Sequence, residues 1–84
     1  MEDIKNIALD IMEEICETDE IREDLDLDLI DAGFIDSLST INIILLIEEK
    51  LNITLQPTDI QKENISTVNN LISFLEGKVQ QSHD

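Results

Sequence analysis

The sequence predicts an all-α fold, a small four-helix bundle with three main helices, a short fourth helix and a long loop between the first two. Each main helix is predicted from apolar residues that recur every three or four positions, the spacing of an amphipathic helix. The chain has 84 residues, of which 42% are hydrophobic and 2% aromatic. A chain of this length forms one domain, and these proportions give it an aliphatic core.

The first helix is predicted over residues 3–17, with one apolar stripe facing the core. This stripe consists of Ile4, Ile7, Ala8, Ile11, Met12 and Ile15. Cys16 borders it and is the lone cysteine of the chain, which excludes a disulfide framework and a thiolate metal site. We therefore expect Cys16 to be a structural residue that behaves as a small hydrophobe.

Residues 18–36 are predicted to form a long ordered loop. Leucines and aspartates alternate over residues 24–29, which imitates a half-buried strand, but no partner strand follows and Asp is a poor strand residue. A calcium loop counted from Asp24 requires Gly at its sixth position and Glu at its twelfth, where Leu29 and Ile35 stand. The calcium interpretation fails, and we expect the apolar residues of the loop to pin it while the carboxylates face water.

The second helix is predicted over residues 37–51, ending near Asn52, and a helical wheel shows two apolar stripes on it. The core stripe consists of Thr40, Ile43, Ile44, Ile47 and Leu51. The second stripe consists of Leu38, Ile41 and Leu45, with Glu48 and Glu49 beside it. Because so small a bundle has little room for a helix buried on all sides, we expect this second stripe to face solvent and bind partners, with the two glutamates at its rim.

The remaining residues predict a turn, a short helix and a last helix. Pro57 enforces a turn or extended backbone, and a helical turn follows around residues 59–63. The last helix is capped by Ser66 or Thr67 and ended by Gly77. Its core residues are expected to be Val68, Leu71, Ile72 and Leu75. The domain is predicted to span residues 1–79, followed by a frayed polar tail over residues 80–84.

The single histidine, His83, lies in that tail. A histidine on a mobile terminus is a poor general base, and no second ligand marks a metal site around it. Hydrolytic chemistry based on a Ser–His pair is therefore excluded, and we expect no metal site.

Charge is the strongest compositional signal, because 20 acidic and 5 basic residues give a formal net charge of −15. This charge argues against nucleic acid and anionic membranes as partners and favours basic protein surfaces. The alternative is that the acidity serves only solubility. No apolar run approaches the ~18–20 residues of a membrane span, and the N-terminus lacks the basic start of a signal peptide. We expect a soluble, cytoplasmic monomer.

Ser37 stands at the start of the second helix, next to the second stripe. A helix N-terminus offers unpaired N–H groups and a partial positive charge, which favour a phosphate ester at this position. The alternative is that Ser37 is a plain N-cap. The residue three places after it is Thr40 and not Glu or Gln, so no capping box supports that alternative. Asp36 could supply the cap itself and leave the Ser37 hydroxyl available.

Residues 33–38 read GFIDSL, and they resemble the attachment motif of the acyl carrier protein family, a D-S-L sequence after a glycine-containing loop. The acidic four-helix pattern and the IEEKLNI sequence at the end of the second helix extend the resemblance over residues 3–79. The resemblance implies a bundle of acyl-carrier type and a carrier protein that is not itself an enzyme. It implies that a separate phosphopantetheinyl transferase attaches 4′-phosphopantetheine from coenzyme A to Ser37. Asp36 would help to hold the metal ion used by that transferase.

Within this family the sequence is most similar to the D-alanyl carriers, in its Thr58-Asp59 pair and its Thr67-Val68-Asn69-Asn70 segment. It departs from them at three positions, with Ile60 in place of Phe, Ile65 in place of Trp, and a proline one place late at Pro57. The resemblance implies that an adenylating ligase loads D-alanine as a thioester and that a downstream acyltransferase passes it to teichoic acid. One alternative is a free-standing peptidyl, polyketide or fatty-acyl carrier. Another is an acidic interaction module that is never modified.

Overall fold

The computed structural model describes residues 3–56 and 58–81. Three α-helices and two 3₁₀ turns form this part of the chain, which contains no β-strand. The helices are α1 (Ile4–Cys16), α2 (Ser37–Leu51) and α3 (Val68–Gln81), and the 3₁₀ turns are Glu20–Arg22 and Lys62–Ile65. The predicted all-α fold with a long loop between the first two helices is confirmed. Over the described ranges, no helix is both long and apolar enough to cross a membrane.

The core lies between α1 and the two other helices, because α1 packs against both α2 and α3. The molecule is 18 Å thick in its narrowest direction, which corresponds to about two layers of helices, each ~10 Å across. The buried residues of the helices are Ile7, Ala8, Leu9, Ile11, Met12, Ile43, Ile44, Ile47, Val68, Leu71 and Leu75. The predicted stripe of α1 is confirmed, with Ile4 and Ile15 only partly buried at its ends and Leu9 as an additional core residue.

Cys16 ends α1 and packs half-buried against the core. Burial raises the pKa of its thiol, so less of the reactive thiolate forms at neutral pH. The expectation of a structural cysteine agrees with this position.

The loop between α1 and α2 is ordered by apolar residues, as predicted. Ile21, Leu29 and Ile35 are buried, and the Leu29 amide donates a 2.7 Å hydrogen bond to the carbonyl oxygen of Ser66. The sequence did not predict the 3₁₀ turn at Glu20–Arg22, which is fastened to α1 by ion pairs. Arg22 Nη2 lies 2.9 Å from Asp10 Oδ1, and Arg22 Nε lies 2.9 Å from Glu13 Oε1.

Thr67 caps α3, since its Oγ1 accepts a 3.0 Å hydrogen bond from the Asn70 amide. The two asparagines that follow have structural roles. Asn69 Nδ2 donates a 2.6 Å hydrogen bond to Asp26 Oδ1, and Asn70 Nδ2 donates a 2.9 Å bond to the Glu63 carbonyl oxygen. Asn69 thereby ties the long loop to α3, and Asn70 ties down the second 3₁₀ turn.

The short helix lies later in the chain than predicted, at Lys62–Ile65 instead of residues 59–63. The reason is a turn that precedes it, in which Asp59 Oδ2 accepts a 2.9 Å hydrogen bond from the Gln56 amide. The 3₁₀ turn then begins where the Gln61 amide donates a 2.8 Å bond to Asn64 Oδ1. Pro57 lies outside the described residues.

The prediction that Gly77 ends the last helix is wrong, because α3 continues to Gln81. Glycine in a helix costs ~1 kcal/mol relative to alanine, but contacts of the last turns oppose this cost. The Lys78 ammonium lies 3.9 Å from Asp59 Oδ1 and 5.7 Å from the centre of the Phe74 ring. The domain boundary after residue 79 stays a prediction, and His83 lies outside the described residues.

Candidate functional site

The approach to α2 is a tight bend around Gly33. Gly33 has a φ of 88°, a left-handed backbone conformation that residues other than glycine rarely adopt. Its amide donates a 3.1 Å hydrogen bond to the Ile30 carbonyl oxygen. Two residues later Ile35 is buried, and its amide donates a 3.2 Å bond to the Leu29 carbonyl oxygen. The bend and this buried anchor fix the direction in which the chain enters α2.

Asp36 is the N-cap of α2. Its backbone is extended, with φ −130° and ψ −172°, and its Oδ1 accepts a 2.9 Å hydrogen bond from the Ser39 amide and a 3.0 Å bond from the Ser39 hydroxyl. These bonds to the Ser39 amide and hydroxyl lower the pKa of the Asp36 carboxyl, because they stabilise its charged form. The expectation that Asp36 supplies the cap is confirmed.

Sequence reasoning missed Ser39. The search for a capping box counted from Ser37, whereas the true N-cap is Asp36 and the third residue after it is Ser39. A count from Asp36 would have placed a hydroxyl opposite the capping carboxylate.

Ser37 is the first residue of α2. Because Asp36 holds the capping position, the alternative that Ser37 is a plain N-cap is wrong. The first amides of a helix have no carbonyl partner within it, and the aligned peptide dipoles add a partial positive charge at this end. Its neighbours Asp36 and Leu38 are both exposed, so the start of α2 lies at the protein surface.

The second stripe of α2 faces solvent. Leu38, Ile41 and Leu45 are 73%, 58% and 56% exposed, and within the described residues no other large hydrophobic side chains are exposed. The opposite stripe is buried at Ile43, Ile44 and Ile47, with Thr40 and Leu51 half-buried at its ends. The helical-wheel prediction of one core stripe and one exposed stripe is confirmed.

The two glutamates beside the exposed stripe differ. Glu49 is exposed, whereas Glu48 is half-buried and its Oε2 accepts a 2.9 Å hydrogen bond from the Leu55 amide. This bond holds the segment after α2 against the helix. Glu48 therefore has a structural role that the sequence did not predict, and a partner contact for either glutamate stays a prediction.

A cavity of about 430 Å³ opens beside the cap. Its lining is mostly apolar and includes one lysine, with contributions from Ile30, Ile35, Asp36, Thr40, Lys62 and Ile65. The loop, the first turn of α2 and the second 3₁₀ turn thus all line this cavity, and Asp36 in its lining directly precedes Ser37 in the chain. In the two ranges that the structure describes, no three potential metal ligands come together.

Comparison with known proteins identifies the family. Residues 4–75 match the family described as the phosphopantetheine attachment site. The chain belongs to this family. Similar proteins include the D-alanyl carrier protein of Lactococcus lactis subsp. cremoris, which is 35% identical over 79 residues, covering 94% of this chain and 100% of the relative. D-alanyl carrier proteins of Bacillus cereus and Bacillus anthracis are each 34% identical over 76 residues, covering 90% of this chain and 96% of the relative.

Membership of this family confirms the predicted resemblance to acyl carrier proteins. It also confirms the predictions that the chain is a carrier protein and not an enzyme, and that its covalent group is 4′-phosphopantetheine. The residues at the start of α2 fit that group. Asp36 relieves Ser37 of the capping role, the surrounding surface is exposed, and the helix N-terminus favours a phosphate. When bound, the group supplies a terminal thiol that holds an acyl group as a thioester.

Proposed function

We propose that this chain carries D-alanine as a thioester on phosphopantetheine attached to Ser37, for transfer to teichoic acid. The observation that carries the proposal is the position of Ser37 as the first residue of α2, directly after a carboxylate cap and between two exposed residues, Asp36 and Leu38. The choice of D-alanine is supported by relatives named D-alanyl carrier protein that match nearly the whole chain.

Two of the three departures from the D-alanyl type fall in the core. Ile60 and Ile65 replace the aromatic residues typical of that type, and they are 5% and 1% exposed. An aliphatic residue at a buried position changes packing, whereas an enzyme that selects a carrier reads its surface. These two departures therefore do not argue against the D-alanyl cargo.

Attachment of the group is a transfer from coenzyme A, catalysed by a phosphopantetheinyl transferase. One P–O bond of the coenzyme A pyrophosphate bridge breaks, and the phosphorus that carries pantetheine forms a new bond to the Ser37 oxygen. The serine proton is released, and adenosine 3′,5′-bisphosphate is the leaving group. Asp36 has two proposed roles in this step. As the cap it fixes the first turn of α2, and as an exposed carboxylate it helps to hold the metal ion of the transferase.

The exposed stripe is proposed as the surface that partner enzymes bind. Leu38, Ile41 and Leu45 form its apolar centre, with Glu49 and the exposed edge of Glu48 as the acidic rim. The proposed partners are the transferase, an adenylating ligase specific for D-alanine, and a downstream acyltransferase. Each must release the carrier after one transfer, so a small transient interface is expected, with complementary basic surfaces that raise the association rate. We place the protein in the cytoplasm as a monomer.

The proposal is tested in two steps. Incubation with coenzyme A and a phosphopantetheinyl transferase is expected to raise the intact mass of the wild-type chain and not that of Ser37→Ala. Unmodified wild type, or a modified Ser37→Ala variant, would show that the attachment site is wrong. The modified protein is then offered to the ligase with D-alanine, L-alanine or a fatty acid, and preferential loading of D-alanine is the expected result. Loading of another acyl group would leave the carrier role intact and assign it to another pathway.

A further inference from the structure

Lys62 lines the cavity that opens beside the N-cap of α2. It is the first residue of the second 3₁₀ turn, and it lines the same cavity as Asp36 and Thr40. Asp36 is the N-cap that directly precedes Ser37, and Thr40 lies three residues after Ser37 in the first turn of α2. The rest of that cavity consists of isoleucine side chains. Among the described residues, Lys62 is therefore the single cationic residue that lines this cavity.

Lys62 is also available for a new partner. Of the basic residues, Arg22 pairs with two carboxylates of α1, and Lys78 pairs with Asp59. Lys62 is exposed and forms no ion pair within the described ranges, although Asp36 borders the same cavity. The Asp36 carboxylate is instead occupied by the Ser39 amide and hydroxyl.

Carboxylates also share a cavity with Lys62. A second cavity is lined by Lys62 together with Asp28, Asp31 and Glu63. Asp28 is engaged by the amides of Ile30 and Asp31, at 3.1 Å and 2.9 Å, and it does not pair with the lysine. The long stem of a lysine lets its ammonium group reach either side of its backbone position.

Attachment of the group adds a negative charge to a chain that is already strongly negative. A phosphodiester carries one permanent negative charge, and the chain already has a formal net charge of −15. The N-terminus of α2 offsets part of this repulsion. A cation that lines the neighbouring cavity offsets more of it, and in the part of the chain that the structure describes Lys62 is the basic residue in that position.

We propose that Lys62 is the counter-charge of the phosphodiester that joins phosphopantetheine to Ser37, and that it holds the first part of the arm in the cavity lined by Ile30, Ile35 and Ile65. This inference rests on the proposed attachment to Ser37. Lys62 is a positioning residue, since it acts on the arm and not on the thioester at the far end.

The test compares the unmodified and modified forms of wild type, Lys62→Gln and Lys50→Gln by amide and phosphorus NMR. Lys50 is a matched control because it is exposed, forms no ion pair in the described residues and lies in the last turn of α2, far from Ser37. In wild type and Lys50→Gln, modification is expected to shift the amide signals of Ile30, Ile35 and Ile65. In Lys62→Gln those shifts are expected to fall by about half or more and the phosphorus signal to move, while Lys62→Arg restores both, because it keeps the charge.

Thermal unfolding provides a second readout. For each variant, the change in melting temperature on modification is measured at low salt. This change is expected to be about 2–5 °C more negative for Lys62→Gln than for Lys50→Gln, which is the size expected for one exposed ion pair. This difference should vanish at ~1 M salt, where the Debye length is ~3 Å. Comparing two forms of one variant removes any effect of the substitution on the fold itself.

The outcomes separate this inference from the proposed function. If wild type gains no mass with coenzyme A, the attachment is wrong and the role of Lys62 falls with it. If wild type is modified but its amide shifts stay within residues 36–40, or Lys62→Gln behaves as Lys50→Gln does, the attachment stands and the counter-charge is wrong.

Discussion

Replacing Ile44 and Ile41 separately with alanine tests the two faces of α2. The two isoleucines lie three residues apart in one helix, and the same three side-chain carbons are removed in each case. They differ in exposure, because Ile44 is 7% exposed and Ile41 is 58% exposed. Any difference between the two variants therefore reports the environment of the side chain and not its chemistry.

The expected magnitudes follow from that exposure. Each buried methylene contributes ~0.8 kcal/mol, and a cavity adds to the loss, so Ile44→Ala should cost about 2–4 kcal/mol and lower the melting temperature by about 10–25 °C. Ile41→Ala removes mostly exposed surface, leaves no internal cavity and gains helix propensity. Its cost should stay below about 1 kcal/mol.

The assay is urea unfolding followed by far-ultraviolet circular dichroism, since the chain has no Trp or Tyr to report by fluorescence. Loading by the ligase is measured on the same modified variants, at a temperature where both are folded. Ile41→Ala is expected to load more slowly at nearly wild-type stability, and Ile44→Ala to load normally while folded. A destabilised Ile41→Ala alongside a silent Ile44→Ala would refute the assignment of the two faces and the binding surface proposed on it.

Three further outcomes are expected. Gly77→Ala should raise the free energy of unfolding by about 0.5–1 kcal/mol, because this helical glycine has open space around it, whereas Gly33→Ala should lower it, since φ is +88° there; urea unfolding measures both. Asp36→Asn should slow modification by the transferase and flatten the acid dependence of the melting temperature. The folded protein lowers the pKa of Asp36, so its stabilisation is present above the ordinary aspartate pKa and is lost as pH falls through the folded value, a loss that Asn cannot show. The melting temperature of the wild-type chain should rise between low salt and ~0.15 M salt, because screening over ~8 Å relieves the repulsion of a −15 chain more than it weakens the few ion pairs. An unchanged melting temperature would mean that the repulsion is balanced locally.

The features that sequence predicted best are those that depend on neighbouring residues. The bounds of α1 and α2 follow from periodic apolar residues, and the end of α2 at Asn52 follows from the tolerance of asparagine for the left-handed conformation, observed at φ 54°. The exposed stripe is a property of one helix and needs only its rotation per residue. Asp36 and Ser37 are adjacent, so a local motif suffices to find them.

The features that sequence missed depend on distant residues. Arg22 stabilises a 3₁₀ turn only because two carboxylates of α1 lie within 2.9 Å of its guanidinium. Gly77 is a helix-ending signal by itself, but α3 continues past it, with Lys78 held between Asp59 and Phe74. No pattern within a single segment indicates such contacts, because each depends on how the segments pack.

The proposed partner surface depends on neighbouring residues of one helix, whereas the cavity beside the attachment residue depends on residues that are distant in the chain. The proposed partner surface lies on α2 alone, whereas the cavity beside the attachment residue combines the loop at Ile30, the first turn of α2 at Thr40 and the second 3₁₀ turn at Lys62. Leu38, Ile41 and Leu45 point away from the core and do not line that cavity. Substitutions on the exposed stripe should therefore change which enzymes bind while the arm keeps its surroundings. Substitutions in the second 3₁₀ turn should change the surroundings of the arm while leaving the partner surface intact.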